Sequence, residues 1–319
     1  MGRRQEERPA AREDAGRAMR IAVLGPGGVG GLLAGLLARG GDVVTCLAGE
    51  TTAATLRSQG ITVRSDRFGA FTVPVAAATV LEEPVDACLV TVKATQLEQA
   101  LDRVPVDALE DALVVPFLNG VEHVETLRQR YPTAVVTPGT IRVESLRRAA
   151  GVIEHASPFA MIEMATSAGG SGSVQRLEGH LRRCGLDVQV REDETAMLWD
   201  KLVFLAPMAL LTTHGATPVG VVRTEQRDDL LAIVEEITTV AGRLGAQIDA
   251  TAVAAILDAV PAGMQSSMQR DAEAGRATEL EAIGGAVVRA AQRVGVAVPV
   301  TARFVTALRG HGSGGDSVR

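Results

Sequence analysis

One stretch near the start of the chain, residues 20–30, restricts the possible folds more than any other. It is an apolar run, RIAVL, that ends in the glycine cluster GPGGVG. Gly25, Gly27 and Gly30 have the G-x-G-x-x-G spacing, which provides a tight turn, close approach of the backbone to a pyrophosphate and close packing of a helix on a strand. Ordinary tight turns also contain glycine clusters, but here an apolar-periodic helix follows. The stretch therefore predicts a dinucleotide-binding turn.

The length and composition are those of a soluble protein with two domains. The chain has 319 residues, of which 46% are hydrophobic and 22% charged. Its net charge of −6 argues against nucleic acid or an anionic membrane as the partner. The uncharged segment 21–38 is long enough for a membrane helix, but Pro26 and six glycines exclude that interpretation.

The cysteines indicate a reducing compartment. Cys46, Cys88 and Cys184 do not form a paired framework, and two of them lie in apolar, strand-like runs where cysteine is a small core residue. We therefore expect a cytoplasmic protein.

The predicted elements of the first part alternate between strands and helices. Near-continuous apolar runs at residues 86–92 and 112–117 are typical of strands covered on both faces of a parallel sheet. Short β segments are expected over 134–163, and a flexible loop over 168–172. This order predicts a Rossmann-like, doubly wound α/β domain.

From residue 194 onward the sequence has only helical periodicity, which predicts an all-α C-terminal domain. Its first helix, over 195–211, is expected to kink at Pro207. The helices that follow are expected over 225–244, 251–260 and 279–294. We predict a disordered extension over 1–18, a dinucleotide-binding domain over 19–193, a helical substrate and dimerisation domain over 194–310, and a disordered tail over 311–319.

Four polar residues are candidates for chemistry. Lys201 precedes ten residues without another charge; such a lysine either extends into solvent or donates a proton to a developing alkoxide. Ser267 and Glu279, twelve residues apart, lie in a polar stretch that would otherwise be a loop with a capping box. Asn119 follows an apolar strand, at the edge where open α/β sheets bind ligands; a turn asparagine is the alternative.

Taken in order, these motifs resemble those of the ketopantoate reductase family over about residues 19–308. The resemblance implies an NADPH-dependent reduction of a 2-oxo acid, which in the family is 2-dehydropantoate, in the cleft between a Rossmann domain and a helical domain. The matching set is the glycine turn, Val92-Lys93-Ala94, Asn119-Gly120, Lys201-Leu202, Ser266-Ser267-Met268 and Thr278-Glu279-Leu280-Glu281.

The resemblance also implies a role for each matched residue. Lys93 and Asn119 would lie on the nicotinamide side, and Ser267 would bind the substrate carboxylate. Lys201 would be the general acid, a role that burial supports by lowering a lysine pKa from about 10.4 toward neutrality. Glu279 would contact the cofactor or orient the lysine. The pyrophosphate would be held by Gly25, Pro26, Gly27, Gly28, Val29 and Gly30.

The substrate side departs from the family pattern. The family has asparagines four and eight residues after its lysine, where this chain has Leu205 and Ala209. These positions share one helix face with Lys201, and a missing amide costs about 1–3 kcal/mol through its unpaired partner. We infer a 2-oxo acid, or a related carbonyl or imine, with a more apolar side chain than ketopantoate. Alternatively, polar residues over 212–214 replace the amides.

The cofactor side departs as well. Many family members have an arginine after the second strand that pairs with the 2′-phosphate of NADP, whereas this chain has Gly49 followed by Glu50. A carboxylate near the adenosine ribose suits a 2′-hydroxyl and repels a phosphate. Because Arg57 could replace the missing arginine, we expect NADP(H), with NAD(H) as the close alternative.

Three hypotheses remain open. The first is a reductase of this family with altered substrate specificity. The second is a true 2-dehydropantoate 2-reductase of pantothenate synthesis, and the third is a non-redox enzyme or nucleotide-binding protein on the same fold. For all three we expect a homodimer without metal, membrane or nucleic-acid partners.

Overall fold

The computed structural model describes residues 17–166 and 171–312, the last two without their side chains. It divides into two compact units. The first comprises the described residues up to Val92, with Glu98–Phe117 and Leu127–Glu192. The second comprises Lys93–Leu97, Leu118–Thr126 and the described residues from Asp193 onward. Two short segments of the first half therefore belong to the helical unit.

A six-stranded parallel sheet forms the centre of the first unit. Its strands are β1 (Arg20–Leu24), β2 (Val43–Leu47), β5 (Ala76–Ala78), β6 (Ala87–Val90), β7 (Leu113–Pro116) and β8 (Val135–Val136). Their order is β5-β2-β1-β6-β7-β8, and every neighbouring pair is parallel. The strand order reverses between β1 and β6, and open α/β sheets bind ligands at the carboxyl ends of strands at such a point.

Two smaller sheets complete the strands of this unit. Their strands are β3 (Ile61–Ser65), β4 (Phe71–Val73), β9 (Gly139–Arg142), β10 (Ser145–Ala149), β11 (Val152–His155), β12 (Met161–Ala165) and β13 (Asp187–Arg191). One sheet has the order β10-β11-β3-β4 and the other β13-β12-β9. The short strands that the sequence predicts over 134–163 are present.

The helices of the first unit pack an aliphatic core. They are α1 (Gly28–Arg39), α2 (Glu50–Gln59), α3 (Leu97–Leu101), α4 (His123–Arg130) and α5 (Ser171–Arg183), of which α3 and α4 begin in the second unit. Leu32 and Leu36 on α1 are fully buried, as is Ile21 on β1; burying such a side chain contributes about 1.5–3 kcal/mol.

All three cysteines are free and buried in this unit. Burial raises the pKa of the Cys46 and Cys88 thiols to about 12 and that of Cys184 to about 11. They are therefore unreactive core residues; the sequence predicts the core position for two of them.

The second unit contains helices in its described residues, with no strand among them. They are α6 (Glu194–Gly215), α7 (Val219–Glu225), α8 (Arg227–Arg243), α9 (Ala250–Ala259), α10 (Ser267–Glu273), a π-helical turn (Glu281–Gly285), α11 (Ala286–Val294) and α12 (Pro299–Gly312). Of the described helices, α6 alone is long and apolar enough to cross a membrane, and 67% of its apolar window is buried inside the structure.

Several predicted boundaries differ from the structure. The polar stretch beginning at Ser266 is a helix over Ser267–Glu273 and a loop only after it: the Ser266 hydroxyl accepts the Gln269 N–H at 3.0 Å and thereby caps α10. Helix α7 was not predicted. The predicted loop 168–172 is wrong at its last two residues, which begin α5, and its other residues lie outside the described ones.

The predicted extension and tail fall largely outside the described residues. Of the extension, only Arg17 and Ala18 are described, both exposed, and Met19 is buried. The last helix continues to Gly312, two residues beyond the predicted boundary. Pro207 lies inside α6. The kink expected at this proline stays a prediction.

Candidate functional site

The glycine turn of the first unit begins directly after β1. Gly25 has φ +87°, in the left-handed region that favours glycine. A Cβ at Gly25 would lie 2.4 Å from Val92 Cγ1, so a side chain is excluded there on both grounds. The Gly27 N–H donates to the Gly25 carbonyl at 2.7 Å and closes the turn.

The other glycines of the motif have two different roles. A Cβ at Gly30 would lie 2.2 Å from Thr91 Oγ1 and 2.4 Å from the Gly25 carbonyl oxygen, which makes Gly30 a packing residue. At Gly27 the nearest atom would be 3.9 Å away. The backbone at Gly27 is therefore uncovered, and the first turn of α1 has no acidic residue. This cradle fits a pyrophosphate at a helix N-terminus.

Thr91 supports the turn and was not predicted as a site residue. Its hydroxyl lies 3.0 Å from the Leu24 carbonyl oxygen and 2.9 Å from that of Gly25, and donates toward both. A single hydroxyl directly after β6, in the otherwise apolar run 87–92, is the feature that could have identified it.

Glu50, predicted to lie near the adenosine ribose, is the first residue of α2 and is largely exposed. Arg57 Nη2 lies 2.8 Å from Glu50 Oε1, and Arg57 Nη1 donates to the Ala77 carbonyl at 3.1 Å. Arg57, which could replace the family's arginine as the ligand of the 2′-phosphate, is thus paired with Glu50, the carboxylate that would repel this phosphate.

In the second unit, Lys93 is paired with a carboxylate that was not predicted. Lys93 Nζ lies 2.6 Å from Asp271 Oδ2, and Arg276 Nε donates to the other oxygen at 2.9 Å. The Asp271 side chain is 8% exposed, so the two cations compensate a buried charge. The sequence feature that could have identified Asp271 is its position in the polar stretch that forms α10.

Glu279 is buried and both of its carboxylate oxygens accept hydrogen bonds. Oε2 accepts from Asn119 Nδ2 at 2.9 Å, and Oε1 accepts from the Ala94 N–H at 3.1 Å. The side chain is 7% exposed. One carboxylate therefore joins the two short segments of the second unit, 93–97 and 118–126, to its helical part.

The segment 118–126 has two further attachments. Gly120 has φ +87°, and a Cβ there would lie 2.2 Å from the Ala282 carbonyl oxygen in the π-helical turn. Glu122 forms two hydrogen bonds with Arg289, at 3.0 and 2.7 Å, which hold the pKa of its carboxyl below the usual range. The segment that carries Asn119 is thus held at three residues, Asn119, Gly120 and Glu122.

His123, the first residue of α4, is a candidate site residue that the sequence did not reveal. It is 6% exposed, and its Nε2 has no hydrogen-bond partner within the described ranges. Burial lowers its pKa to about 4, and the positive charge of Lys201 acts in the same direction. A neutral imidazole therefore lies within electrostatic reach of the lysine, and its only clue was its place four residues after Asn119.

The predicted substrate residues are not equally accessible. Lys201 and Leu205 on α6 are half-buried, and Ser267 is exposed. Ala209 has no exposed surface and belongs to the core of this unit. The prediction that Ala209 contacts substrate is therefore not supported by its position, because a neighbouring layer of side chains covers it.

Two of the three polar residues proposed to replace the missing amides are engaged elsewhere. Thr212 is fully buried, and its hydroxyl donates to the Met208 carbonyl at 2.8 Å and lies 2.9 Å from Ser266 Oγ. His214 packs edge-on against Phe304. The Thr213 hydroxyl is buried without a hydrogen-bond partner within the described ranges, so the alternative stays open for Thr213.

The chain contains only two lysines, Lys93 and Lys201, among 32 basic residues. The other 30 are arginines, although lysine and arginine are both common on exposed surfaces. An amine that can lose its proton is what lysine offers and arginine does not. Both lysines fall on motif positions of the second unit.

Comparison with known proteins identifies the same family over both parts of the chain. The model of the family described as Ketopantoate reductase PanE/ApbA matches residues 21–167, and the model of its C-terminal domain matches residues 193–312. The resemblance predicted from the ordered motifs is therefore confirmed.

Two relatives align over most of the chain. The oxidoreductase YkpB of Bacillus subtilis is 27% identical over 288 residues, covering 88% of this chain and 95% of its own. The 2-dehydropantoate 2-reductase of Mycobacterium tuberculosis is 29% identical over 304 residues, covering 92% and 98%. Both are described as reductases or oxidoreductases.

Solved structures confirm the predicted fold class. The ternary structure of D-mandelate dehydrogenase with NADH and anilino(oxo)acetate has a TM-score of 0.85 at 20% identity, covering 92% of this chain and 98% of the other. The 2-dehydropantoate 2-reductase of Methylococcus capsulatus has a TM-score of 0.80 at 25% identity, covering 91% and 96%.

Proposed function

This chain belongs to the ketopantoate reductase family and is a nicotinamide-dependent oxidoreductase, and from that premise we propose that it reduces a 2-oxo acid, or a related carbonyl or imine, with an apolar side chain. One observation carries the substrate class. Leu205 is partly exposed one helical turn after Lys201, where an asparagine would offer a hydrogen bond. A hydroxylated substrate such as ketopantoate would leave a polar group unpaired there.

In this proposal Lys201 is the general acid. The cofactor supplies a hydride to the carbonyl carbon when it is bound. Lys201 Nζ donates the proton that the carbonyl oxygen then requires, a step that contributes about 10²–10⁴-fold. The neighbouring His123 imidazole remains neutral at physiological pH because its pKa is about 4, so it adds no second charge beside the lysine.

Glu279 serves as a positioning residue. Both of its oxygens accept hydrogen bonds from the protein, from Asn119 and from the Ala94 backbone, so it holds Asn119 and the Lys93 segment for the nicotinamide side. Ser267, exposed at the start of α10, is proposed to bind the substrate carboxylate.

The glycine turn is proposed to hold the pyrophosphate, through the uncovered backbone of Gly27 and the first turn of α1. NADP(H) is proposed as the cofactor, with NAD(H) as the alternative. The D-mandelate dehydrogenase structure with NADH supports the alternative, and its anilino(oxo)acetate ligand, an anilide of oxalic acid, carries an oxo group next to the carboxylate and an aromatic ring.

The proposal includes a cytoplasmic homodimer. The buried, unpaired cysteines support a reducing compartment. Leu231 on α8 and Ile256 on α9 are 38% and 55% exposed, and a second copy would cover apolar side chains of this kind.

The experiment uses the purified full chain with NADPH or NADH and a panel of 2-oxo acids that includes ketopantoate, phenylglyoxylate and branched aliphatic acids. Oxidation of the cofactor is followed by absorbance. We expect kcat/KM to be higher for the apolar acids than for ketopantoate. Preference for ketopantoate would contradict the proposed substrate class, and no turnover of any carbonyl despite cofactor binding would favour the non-redox hypothesis.

Two lysine variants test the general acid. Lys201→Ala is expected to lower kcat by about 10²–10⁴-fold while the cofactor still binds. Lys201→Arg is the matched control, because arginine keeps the positive charge but not a transferable proton. Activity of Lys201→Arg close to the wild-type level would show that charge alone suffices.

A further inference from the structure

A guanidinium from a distant part of the chain lies at the carboxyl end of β2. Arg103 follows α3, and its Nη1 lies 3.1 Å from the Ala48 carbonyl oxygen and 3.0 Å from that of Thr79, donating to both. Ala48 follows β2 and Thr79 follows β5, which pair in parallel. One nitrogen thus bridges the ends of two neighbouring strands, and all of these groups belong to the first unit.

The backbone of Arg103 is also held in place. Its carbonyl accepts the Leu81 N–H at 2.8 Å, and its N–H donates to the Ala100 carbonyl at 3.0 Å. An arginine fixed at its backbone and at one nitrogen loses little further freedom when it binds a ligand, and this favours affinity.

The other face of the guanidinium remains available. A Cβ built at Gly49 would lie 3.9 Å from Arg103 Nη2, so Nη2 is next to the residue that precedes α2. In the described part of the chain, Arg103 Nη2 and Nε have no hydrogen-bond partner and the side chain has no ion pair. Arg103 is half-buried, so these donors are partly shielded from water.

This is the position at which a Rossmann-like domain distinguishes its cofactors. The ribose 2′ position of the adenosine is recognised after β2, by a carboxylate for a 2′-hydroxyl or by an arginine for a 2′-phosphate. Here the carboxylate of Glu50 is paired with Arg57 at 2.8 Å, and both side chains are exposed, at 71% and 47%. An exposed ion pair is weak, so a phosphate could displace Glu50 and would meet two arginines.

We propose that Arg103 is the specificity-determining residue that binds the 2′-phosphate of NADP(H), in place of the arginine that the family carries at the position of Gly49. The inference rests on the proposed dinucleotide site. The planar guanidinium offers Nε and Nη2 as a pair of donors for two phosphate oxygens. Gly49 is compatible with this role because its lack of a side chain leaves Nη2 uncovered.

The test measures binding of two fragments to the full chain by isothermal titration calorimetry. Adenosine 2′,5′-bisphosphate carries the 2′-phosphate and adenosine 5′-monophosphate does not. We expect the wild type to bind the bisphosphate more tightly. Arg103→Gln should lower the affinity for the bisphosphate about 10- to 100-fold, as expected for lost charged hydrogen bonds. It should change the affinity for the monophosphate less than about twofold. The same ratio should appear in kcat/KM for NADPH against NADH.

Two further variants keep the proposal falsifiable. Arg103→Lys preserves a cation at the strand ends, so it should fold and retain part of the discrimination; thermal unfolding checks the fold of each variant. Arg57→Gln is the matched control and should lose less discrimination than Arg103→Gln. Loss of discrimination in Arg57→Gln alone, or equal binding of both fragments by the wild type, would overturn the assignment of Arg103.

The outcomes also separate this inference from the proposed function. Binding of NAD⁺ with no response to the 2′-phosphate would overturn the role of Arg103 and leave the dinucleotide site intact. Failure of the wild type to bind either fragment and either dinucleotide would overturn both.

Discussion

Asn119 and Glu279 are 160 residues apart in the chain, and a hydrogen bond of 2.9 Å joins Asn119 Nδ2 to Glu279 Oε2. The resemblance to the family predicts a separate role for each residue on the cofactor side. In the structure each one holds the other, and the second Glu279 oxygen accepts the Ala94 N–H. The two residues therefore act as a pair within the second unit of the fold.

The first prediction is that Asn119 and Glu279 are energetically coupled. In a double-mutant cycle of Asn119→Ala and Glu279→Ala, the free energies of unfolding in urea should depart from additivity by about 0.5–3 kcal/mol. Each single variant should also bind the cofactor less tightly than the wild type. The cofactor affinity of the double variant should be no lower than that of the single variant with the lower affinity. Additive effects on both quantities would show that the hydrogen bond does not position Asn119.

The second prediction separates two glycines of the same turn. Gly30→Ala should destabilise the protein by about 1–3 kcal/mol, because its Cβ would lie 2.2 Å from Thr91 Oγ1 and 2.4 Å from the Gly25 carbonyl oxygen. Gly27→Ala should leave the melting temperature nearly unchanged, because no atom lies within 3.9 Å of its Cβ, and should weaken dinucleotide binding. Thermal unfolding and calorimetry measure the two effects, and an unchanged affinity in Gly27→Ala would argue against the cradle.

The third prediction concerns the apolar face that follows Lys201. Leu205→Asn restores an amide at a half-buried position and should shift kcat/KM toward ketopantoate by roughly tenfold, the equivalent of one hydrogen bond. Ala209→Asn should instead destabilise the fold by about 1–3 kcal/mol, because Ala209 is fully buried. If Leu205→Asn leaves the substrate preference unchanged, Leu205 does not contact the substrate.

The fourth prediction is a pH dependence that originates at His123. In the unfolded chain the imidazole binds a proton near pH 6.5, but in the folded chain not until about pH 4. Between these values the unfolded state binds more protons, so the stabilisation present above pH 6.5 is lost as the pH falls. The resulting decrease in the free energy of unfolding approaches about 3 kcal/mol.

The control for this prediction is His123→Gln, which cannot titrate. Urea unfolding of the wild type and the variant is compared between pH 4 and pH 7, so that contributions of other groups, such as His155 with its lowered pKa, cancel. Parallel curves for the two proteins would show that His123 is not held neutral in the folded state.

Much of the fold was predictable because its determinants are local. The apolar run before Gly25 and the leucines after it define a strand, a turn and a helix within about twenty residues, and steric exclusion of a side chain explains Gly25 and Gly30. Helix α10 and the separate helix α7 were missed, because polar or glycine-containing sequences have weak periodicity and tertiary packing decides whether they are helical.

The sequence by itself determined the fold class and the family, because hydrophobic periodicity and the order of short motifs along the chain are sufficient for these; the roles of Lys201, Ser267 and Glu279 stay predictions. Only the tertiary structure decided which groups meet. It paired Lys93 with Asp271, buried His123 within the electrostatic influence of Lys201, placed Ala209 in the core and brought Arg103 to the end of β2. The physical reason is that burial, ion pairing and hydrogen bonding depend on contacts between residues far apart in the chain, and no local pattern specifies which of many arginines or carboxylates a fold brings together.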